Sequence, residues 1–335
     1  MSQYSRPDRG FLGWARTEKI CHGRKRYARA RENRLGPEVI GQGGEDRGPE
    51  MGQAIATTTN VLILSSMYIL VALGFAFLFS MLGLLNFAHG AIYTIGGYIG
   101  YQFAVRMGLN PWTAMFLATV IVAAFGAFLE KFCFRPFVGD FNRIVMVSVA
   151  ITTVLQTLVN VWEAGEVLTL PPFVTGVFRS GRFAVSYQRM VTFAIGASLL
   201  GIASWFVSRT RWGQQMLAIA QNMEAASLQG INVHRICMIA FALGCGLATI
   251  AGCLMGAYIQ LSPFMGDTML AKVLILVILA GVGSIGGIFL TGLLLGGLDA
   301  ILPLLMRGAF SDAIAVVIVV VLLLFKPKGF FGHEA

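Results

Sequence analysis

Long apolar segments separated by short polar stretches dominate this chain. A helix needs roughly 20 apolar residues to cross about 30 Å of hydrocarbon. Segments of this kind lie at 61–82, 112–130, 144–162, 190–208, 236–260, 270–283, 286–305 and 312–325. The segment 270–283 is short, and 86–105 is softer because it contains Asn86, His89 and several glycines. Glycine-interrupted segments are where membrane helices break or re-enter. The pattern predicts an all-α polytopic membrane bundle of about eight transmembrane helices plus a re-entrant or broken segment.

The distribution of charge agrees with a lipid environment. Charged residues make up 12% of the chain, against about a quarter in soluble domains. Residues 1–50 hold 11 of the 25 Lys and Arg and 7 of the 16 Asp and Glu. The other 285 residues therefore share 14 basic and 9 acidic side chains. These are too few to cover a water-exposed surface.

The first 54 residues differ from the rest and predict a polar, disordered extension, followed by a membrane domain at 55–332. The extension is rich in Gly and Arg and has no apolar core of the kind found in a secretory signal. Met51 runs directly into the first apolar segment. We hypothesise that Met51 is the native start, in which case mass spectrometry of the native protein detects no peptide from 1–50.

Basic residues indicate the orientation, because Lys and Arg gather on cytoplasmic loops. The loops 131–143 and 209–235 and the tail with Lys326 and Lys328 carry basic residues at the ends of apolar segments, so we expect all three in the cytoplasm. The loop 163–189 then lies outside. If the N-terminus is also cytoplasmic, 86–105 must be re-entrant or broken, because a full crossing reverses the parity.

Three GxxxG pairs predict close helix packing, because small residues on one face let backbones approach. They are Gly96/Gly100, Gly252/Gly256 and Gly292/Gly296.

Signatures of catalysis are missing from the sequence. None of the six lysines is followed by Ser or Thr, so there is no Walker A phosphate loop. HExxH and GxSxG motifs are absent, and the four histidines are scattered. The sequence predicts no catalytic residue, no metal site, no cofactor and no nucleic-acid partner.

The stretch 211–231 favours a helix from Gln214 to Leu228 that Gly230 ends. Within it, Glu224-Ala225-Ala226-x-x-x-Gly230 resembles the coupling motif of ABC importer permeases, in which a small-residue helix and glycine turn fit a cleft on the ATPase. The resemblance implies coupling roles for Glu224, Ala225, Ala226, Gly230 and Ile231. An ordinary interfacial helix is the alternative.

Four further motifs resemble those of the branched-chain amino acid (leucine/isoleucine/valine) ABC transporter permease family, H-type subunit, in that family's order. In the glycine-rich motif over 280–287, this chain departs from the family at two positions: Ala280 replaces a usual glycine, and Gly286 stands where proline is common. The motifs are Leu84-Leu85-Asn86-Phe87-Ala88-His89-Gly90, Glu130-Lys131 to Arg135-Pro136, Ala280-Gly281-Val282-Gly283-Ser284-Ile285-Gly286-Gly287 and Lys326-Pro327-Lys328-Gly329-Phe330-Phe331-Gly332.

This resemblance implies a permease in the bacterial inner membrane that passes branched-chain or related amino acids into the cytoplasm. Its implied partners are a second homologous permease, two ATP-binding subunits that supply the ATPase, and a periplasmic solute-binding protein. Alternatives are a permease of the same family for urea or short amides, an ion-coupled secondary transporter or channel, and a non-transporting membrane scaffold.

Candidate pathway residues are Asn86, His89, Gly281, Gly283 and Ser284. Asn86 and His89 either face the solute or cap a broken helix at membrane depth. The glycines either permit a tight turn or offer backbone to the solute. Lys272 either pairs with Asp267 or snorkels to the membrane surface.

Overall fold

The structure is a computed structural model that describes residues 48–82, 86–180, 183–281 and 284–305, with positions 310, 314, 315, 317, 318, 321, 322 and 324. Two turns of π-helix, Gln102–Arg106 and Glu130–Phe134, continue the helices that end at Tyr101 and Leu129. The helices are α1 Gly48–Leu82, α2 Ala88–Tyr101, α3 Pro111–Leu129, α4 Phe141–Trp162, α5 Tyr187–Arg209, α6 Arg211–Gln221, α7 Met223–Leu228, α8 Val233–Tyr258, α9 Met265–Ala280 and α10 Ile285–Leu305.

The predicted all-α class is confirmed, with one small addition. Strands β1 (Val177–Ser180) and β2 (Phe183–Ser186) form an antiparallel hairpin in the loop before α5, in the register Val177↔Ser186. Helix α1 begins at Gly48, so the predicted boundary at residue 55 falls within a helix. Residues 1–47 lie outside the described residues, and the extension stays a prediction.

Short polar residues cap the N-terminal ends of five helices. Each accepts a hydrogen bond from a backbone N–H of the first helical turn, which has no partner inside the helix. The caps are Asn110 for α3, Asp140 for α4, Thr210 for α6, Asn222 for α7 and Asn232 for α8.

Helices α1 and α8 form the centre of the bundle. Within the apolar stretch of each helix, 72% of the residues are buried in α1 and 67% in α8. The corresponding share is 22–39% in the other helices long enough to span a membrane. The outer helices α3, α4 and α5 carry large exposed apolar side chains, including Phe116, Met146 and Trp205. An apolar exterior of this extent is typical of a protein that faces lipid.

Six described helices are long and apolar enough to cross a membrane: α1, α3, α4, α5, α8 and α10. The predicted total of about eight is not established. Helix α9, which covers most of the predicted span 270–283, has 16 residues and is about 24 Å long at the α-helical rise. Of the 14 positions of the candidate 312–325, seven are described, and all seven are helical.

The prediction of close helix approach at the GxxxG pairs is confirmed. A Cβ added at Gly252 of α8 would lie 2.3 Å from the carbonyl oxygen of Tyr93 in α2. One added at Gly296 of α10 would lie 2.4 Å from the backbone nitrogen of Ser65 in α1. Only a residue without a side chain fits at these crossings.

Polar contacts define two sides of the bundle. On one side, Tyr258 at the end of α8 donates a hydrogen bond to Asn60 of α1 at 3.0 Å. Arg106 near the end of the α2 segment pairs there with Glu163 after α4. The loop 209–235 lies at the opposite end of α8, so residues near Asn60 are on the other side from it. The beginning of α1 and the loop 209–235 therefore do not share a side of the bundle, and sharing it was the condition under which parity requires a re-entrant 86–105.

Candidate functional site

The predicted single helix 214–228 is wrong in one respect, because the structure divides it into α6 and α7. Asn222 lies between them in extended conformation, with φ −158° and ψ 106°. Its Oδ1 accepts a hydrogen bond from the Ala225 N–H at 2.9 Å. Asn competes for backbone groups in this way and favours helix starts over interiors. The break turns α7 into a separate six-residue helix.

The end predicted at Gly230 is confirmed. Gly230 has φ +82°, which a residue with a side chain rarely adopts. The Ile231 N–H bonds to the Ala226 carbonyl at 3.2 Å, and the Gly230 N–H bonds to that of Ser227 at 3.0 Å. This pair of bonds is a Schellman motif, which satisfies carbonyls at a helix end.

A small apolar cluster fixes the helix pair against the bundle. Ala226 is 3% exposed and packs with Met216 and Ile219 of α6 against Ile236 and Ala240 at the start of α8. The predicted coupling residues therefore do not share one face, because Ala226 points into the protein. Glu224 and Ala225 are exposed, and Ile231 is partly buried.

Leu228, which the sequence analysis did not single out, is the most exposed large apolar residue of this segment at 84%. It lies on the last turn of α7 beside the exposed Gln229 and Gly230. The periodicity of a single helix from Gln214 to Leu228 does not indicate this position, since the break at Asn222 changes which residues face outward.

A buried ion pair supports the helix pair from the neighbouring loop. Glu130 is 2% exposed, and Arg135 binds both its carboxylate oxygens, at 3.2 and 2.7 Å. The same guanidinium donates to the backbone oxygen of His234 at 3.5 Å, at the start of α8. The two residues belong to the predicted acid–base and Arg-Pro turn. Their pairing ties that turn to the segment that holds α7.

We expect Arg135→Met to lower the stability of the protein by roughly 2–3 kcal/mol, because it leaves the Glu130 carboxylate buried without its partner. Arg143→Met is the control. The pair of Arg143 with Asp140 is exposed on both sides, 67% and 43%, and such pairs contribute about 0–1 kcal/mol. Thermal unfolding in detergent compares them. Equal melting temperatures for the two variants would contradict the supporting role of Arg135.

Asn86 and His89 lie at the buried beginning of α2. Asn86 is 1% exposed, and its Oδ1 accepts a hydrogen bond from the Ala88 N–H at 3.0 Å. His89 is fully buried, with Nε2 3.3 Å from the carbonyl oxygen of Val71 and its ring against Phe75. These contacts correspond to the capping alternative. Among the described residues, Asn86 Nδ2 and His89 Nδ1 have no hydrogen-bond partner.

Gly281 and Ser284 form the turn between α9 and α10. Gly281 has φ +87°, and its carbonyl accepts a hydrogen bond from the Ser284 N–H at 3.1 Å. Ser284 Oγ accepts from the Gly287 N–H at 3.0 Å and so caps α10. These contacts correspond to the tight-turn alternative. Gly283 lies outside the described residues. The Gly281–Ser284 turn connects α9 to α10, whereas Asn86 and His89 lie at the connection between α1 and α2.

Two adjoining cavities lie in the half of the bundle away from α6 and α7. One has a volume of about 520 Å³ and the other about 670 Å³, within the usual range for ligand sites. They share Leu64, Ile259 and Asp299 as lining residues. Of the predicted pathway residues that the structure describes, none lines either cavity.

An ion pair occupies the wall of these cavities. Lys272 Nζ lies 2.6 Å from Asp299 Oδ2, and their side chains are 12% and 6% exposed. Tyr68 donates a hydrogen bond to the same oxygen. Of the two alternatives for Lys272, the pairing with Asp267 is not found among the described residues, where Asp267 accepts a hydrogen bond from Gln156. The clue in the sequence was Asp299 itself, the one acidic residue inside an apolar run.

The fold and these features define a polytopic helical membrane protein that has a buried ion pair beside two cavities and a short helix pair, α6 and α7, between two membrane-length helices. A family model, "Branched-chain amino acid transport system / permease component", matches residues 57–325. The chain belongs to that family.

Two curated relatives match nearly over their whole lengths. BraD of Pseudomonas aeruginosa, a high-affinity branched-chain amino acid transport system permease protein, is 30% identical over 85% of this chain and 98% of BraD. LivH of Escherichia coli, described in the same words, is 29% identical over 82% of this chain and 94% of LivH. LsrC of Klebsiella pneumoniae, an autoinducer 2 import system permease protein, is 30% identical over 47% of each chain. No solved structure matches the chain significantly.

Proposed function

We propose that this chain is the membrane permease subunit of an ABC importer that carries branched-chain or related amino acids into the cytoplasm. The observation that carries this proposal is the family match over 57–325, together with near full-length similarity to two branched-chain amino acid permeases. The chain supplies half of a pathway that alternates access, and it performs no chemistry. Transport has a direction only if the inward- and outward-facing states bind the solute differently.

The partners we propose are a second homologous permease, two ATP-binding subunits and a periplasmic solute-binding protein, assembled in the bacterial inner membrane. Helix α7 is the proposed contact with the ATPase. Its exposed residues Glu224, Ala225 and Leu228 supply a charge, a small residue and an apolar anchor. Burying a leucine side chain at an interface contributes about 1.5–3 kcal/mol. The Ala226 cluster and the Gly230 turn hold α7 rigid, so that movement of the ATPase reaches α8.

The basic loops 131–143 and 209–235 place α6 and α7 in the cytoplasm under this proposal. The polar cavities and the β1–β2 hairpin then lie toward the periplasm, where a binding protein delivers solute. This arrangement separates the energy-coupling end from the solute-entry end, as an ABC importer requires.

The test is purification of the chain from native membranes in mild detergent, followed by uptake assays in proteoliposomes. We expect an ATP-binding protein to co-purify, and we expect leucine, isoleucine or valine to enter vesicles only when ATP and the binding protein are supplied. Uptake of urea or short amides alone would support the alternative within the same family. Solute movement by the lone chain, driven by an ion gradient, would overturn the proposal.

A further inference from the structure

The Lys272–Asp299 pair is unusual for its position. Asp299 lies inside α10 and Lys272 inside α9, both in apolar helices, and both side chains are almost fully buried. Charges inside membrane segments are costly, and they mark functional sites more often than structural ones. A purely structural pair does not need to line a cavity, but Asp299 lines two adjoining ones and Lys272 lines one of them.

The two oxygens of the Asp299 carboxylate have different surroundings. Oδ2 accepts hydrogen bonds from Lys272 Nζ and from the Tyr68 hydroxyl. Oδ1 is buried and has no hydrogen-bond partner among the described residues. An unpaired buried acceptor is unfavourable, and more so when it carries charge. Lys272 and Tyr68 therefore hold the carboxylate in place and leave one oxygen for a donor from another molecule.

The rest of the smaller cavity fits a solute with a polar head and an aliphatic tail. Gln260, Ser262 and Thr268 provide polar groups near the ion pair. Apolar side chains cover the remaining wall: Leu64, Met255, Ile259, Met265 and Met269. Methionines adapt to aliphatic groups of different shape. Arg189 lines the adjoining cavity, which gives that space a cationic group for a carboxylate.

We propose that Asp299 is the residue that binds the ammonium group of the transported amino acid, with Lys272 and Tyr68 as positioning residues. This inference rests on the proposed function, and it adds the place and the chemistry of solute recognition. The solute class is a zwitterion with an aliphatic side chain, because the carboxylate provides for its positive end and the methionine-lined wall for its tail.

The test uses the complete transport complex in proteoliposomes with saturating loaded binding protein. Asp299→Asn keeps the shape of the side chain but removes the charge, and we expect the rate of leucine uptake to fall about 10- to 100-fold. Asp267→Asn is the matched control, because it makes the same chemical change on the helix that carries Lys272. Asp267 is exposed and lines neither cavity. It should keep uptake close to wild type.

A second variant separates recognition from folding. Asp299→Asn alone removes the carboxylate that Lys272 binds, so the loss of uptake has a second explanation in a destabilised protein. Asp299→Asn with Lys272→Gln removes both charges and should restore the melting temperature. We expect leucine uptake to stay low in this double variant. Wild-type uptake by the double variant would overturn the inference while leaving the proposed function intact, whereas absence of amino acid uptake by the wild-type complex would overturn the proposed function.

Discussion

Replacing Gly252 with alanine is expected to destabilise the folded protein strongly. The new Cβ would lie 2.3 Å from the carbonyl oxygen of Tyr93, and this neighbour is backbone within α2 rather than a flexible side-chain end. Helix α8 would have to move away from α2, which would loosen a buried crossing of the bundle. Overpacking of this kind costs roughly 1–3 kcal/mol, occasionally more, and the rigid contact favours the upper end. Melting temperature and monodispersity in detergent measure the effect.

Gly246 offers a matched control in the same helix. A Cβ there would have its nearest neighbour, a Thr119 methyl carbon, at 3.5 Å, an ordinary contact distance. Gly246→Ala is therefore expected to be neutral or stabilising, because alanine favours the helix over glycine by up to about 1 kcal/mol. If both variants fold equally well, the close approach of α8 and α2 does not determine stability.

Replacing Gly230 with valine is expected to abolish most ATP-driven uptake while leaving the bundle folded. Gly230 has φ +82°, and a β-branched residue there is strained by roughly 1–2 kcal/mol. The strain favours unwinding of the Schellman turn, which frees the end of α7 and displaces Leu228. No atom lies within 4 Å of the missing Cβ, so the change acts through the backbone and not through a clash. We expect uptake about tenfold lower, since 1.4 kcal/mol corresponds to that factor.

Gly108→Val is the control for this prediction. Gly108 also has positive φ, +68°, and open space around its missing Cβ. It lies between α2 and α3, at the end of the bundle away from α7. The two variants should have similar melting temperatures, but only Gly230→Val should lose ATPase-coupled uptake. Loss of uptake in both, or in neither, would contradict the coupling role of the α7 segment. Glu224→Lys, which reverses an exposed charge on α7, should reduce coupling in the same assay.

The segment 211–231 shows which structural features can be predicted from the sequence and which cannot. Gly230 marks the helix end from sequence alone, because glycine is the residue that adopts positive φ without cost. The break at Asn222 was missed, since asparagine is tolerated inside helices as well as at their starts, and only its side-chain bond to Ala225 distinguishes the two. That break decided which residues face outward. Ala226 became a buried anchor, and Leu228 became the exposed apolar residue.

The sequence by itself determined the membrane environment, the helical class, the close glycine crossings and the resemblance to the permease family. These properties depend on hydrophobic length, on residue size and on motif order, and all three can be read along the chain. Only the tertiary structure decided that Lys272 pairs with Asp299 instead of Asp267, and that Asp299 lines two cavities. Residues 272 and 299 lie on different helices, so their contact depends on how α9 and α10 fold back on each other. Local sequence does not encode that geometry.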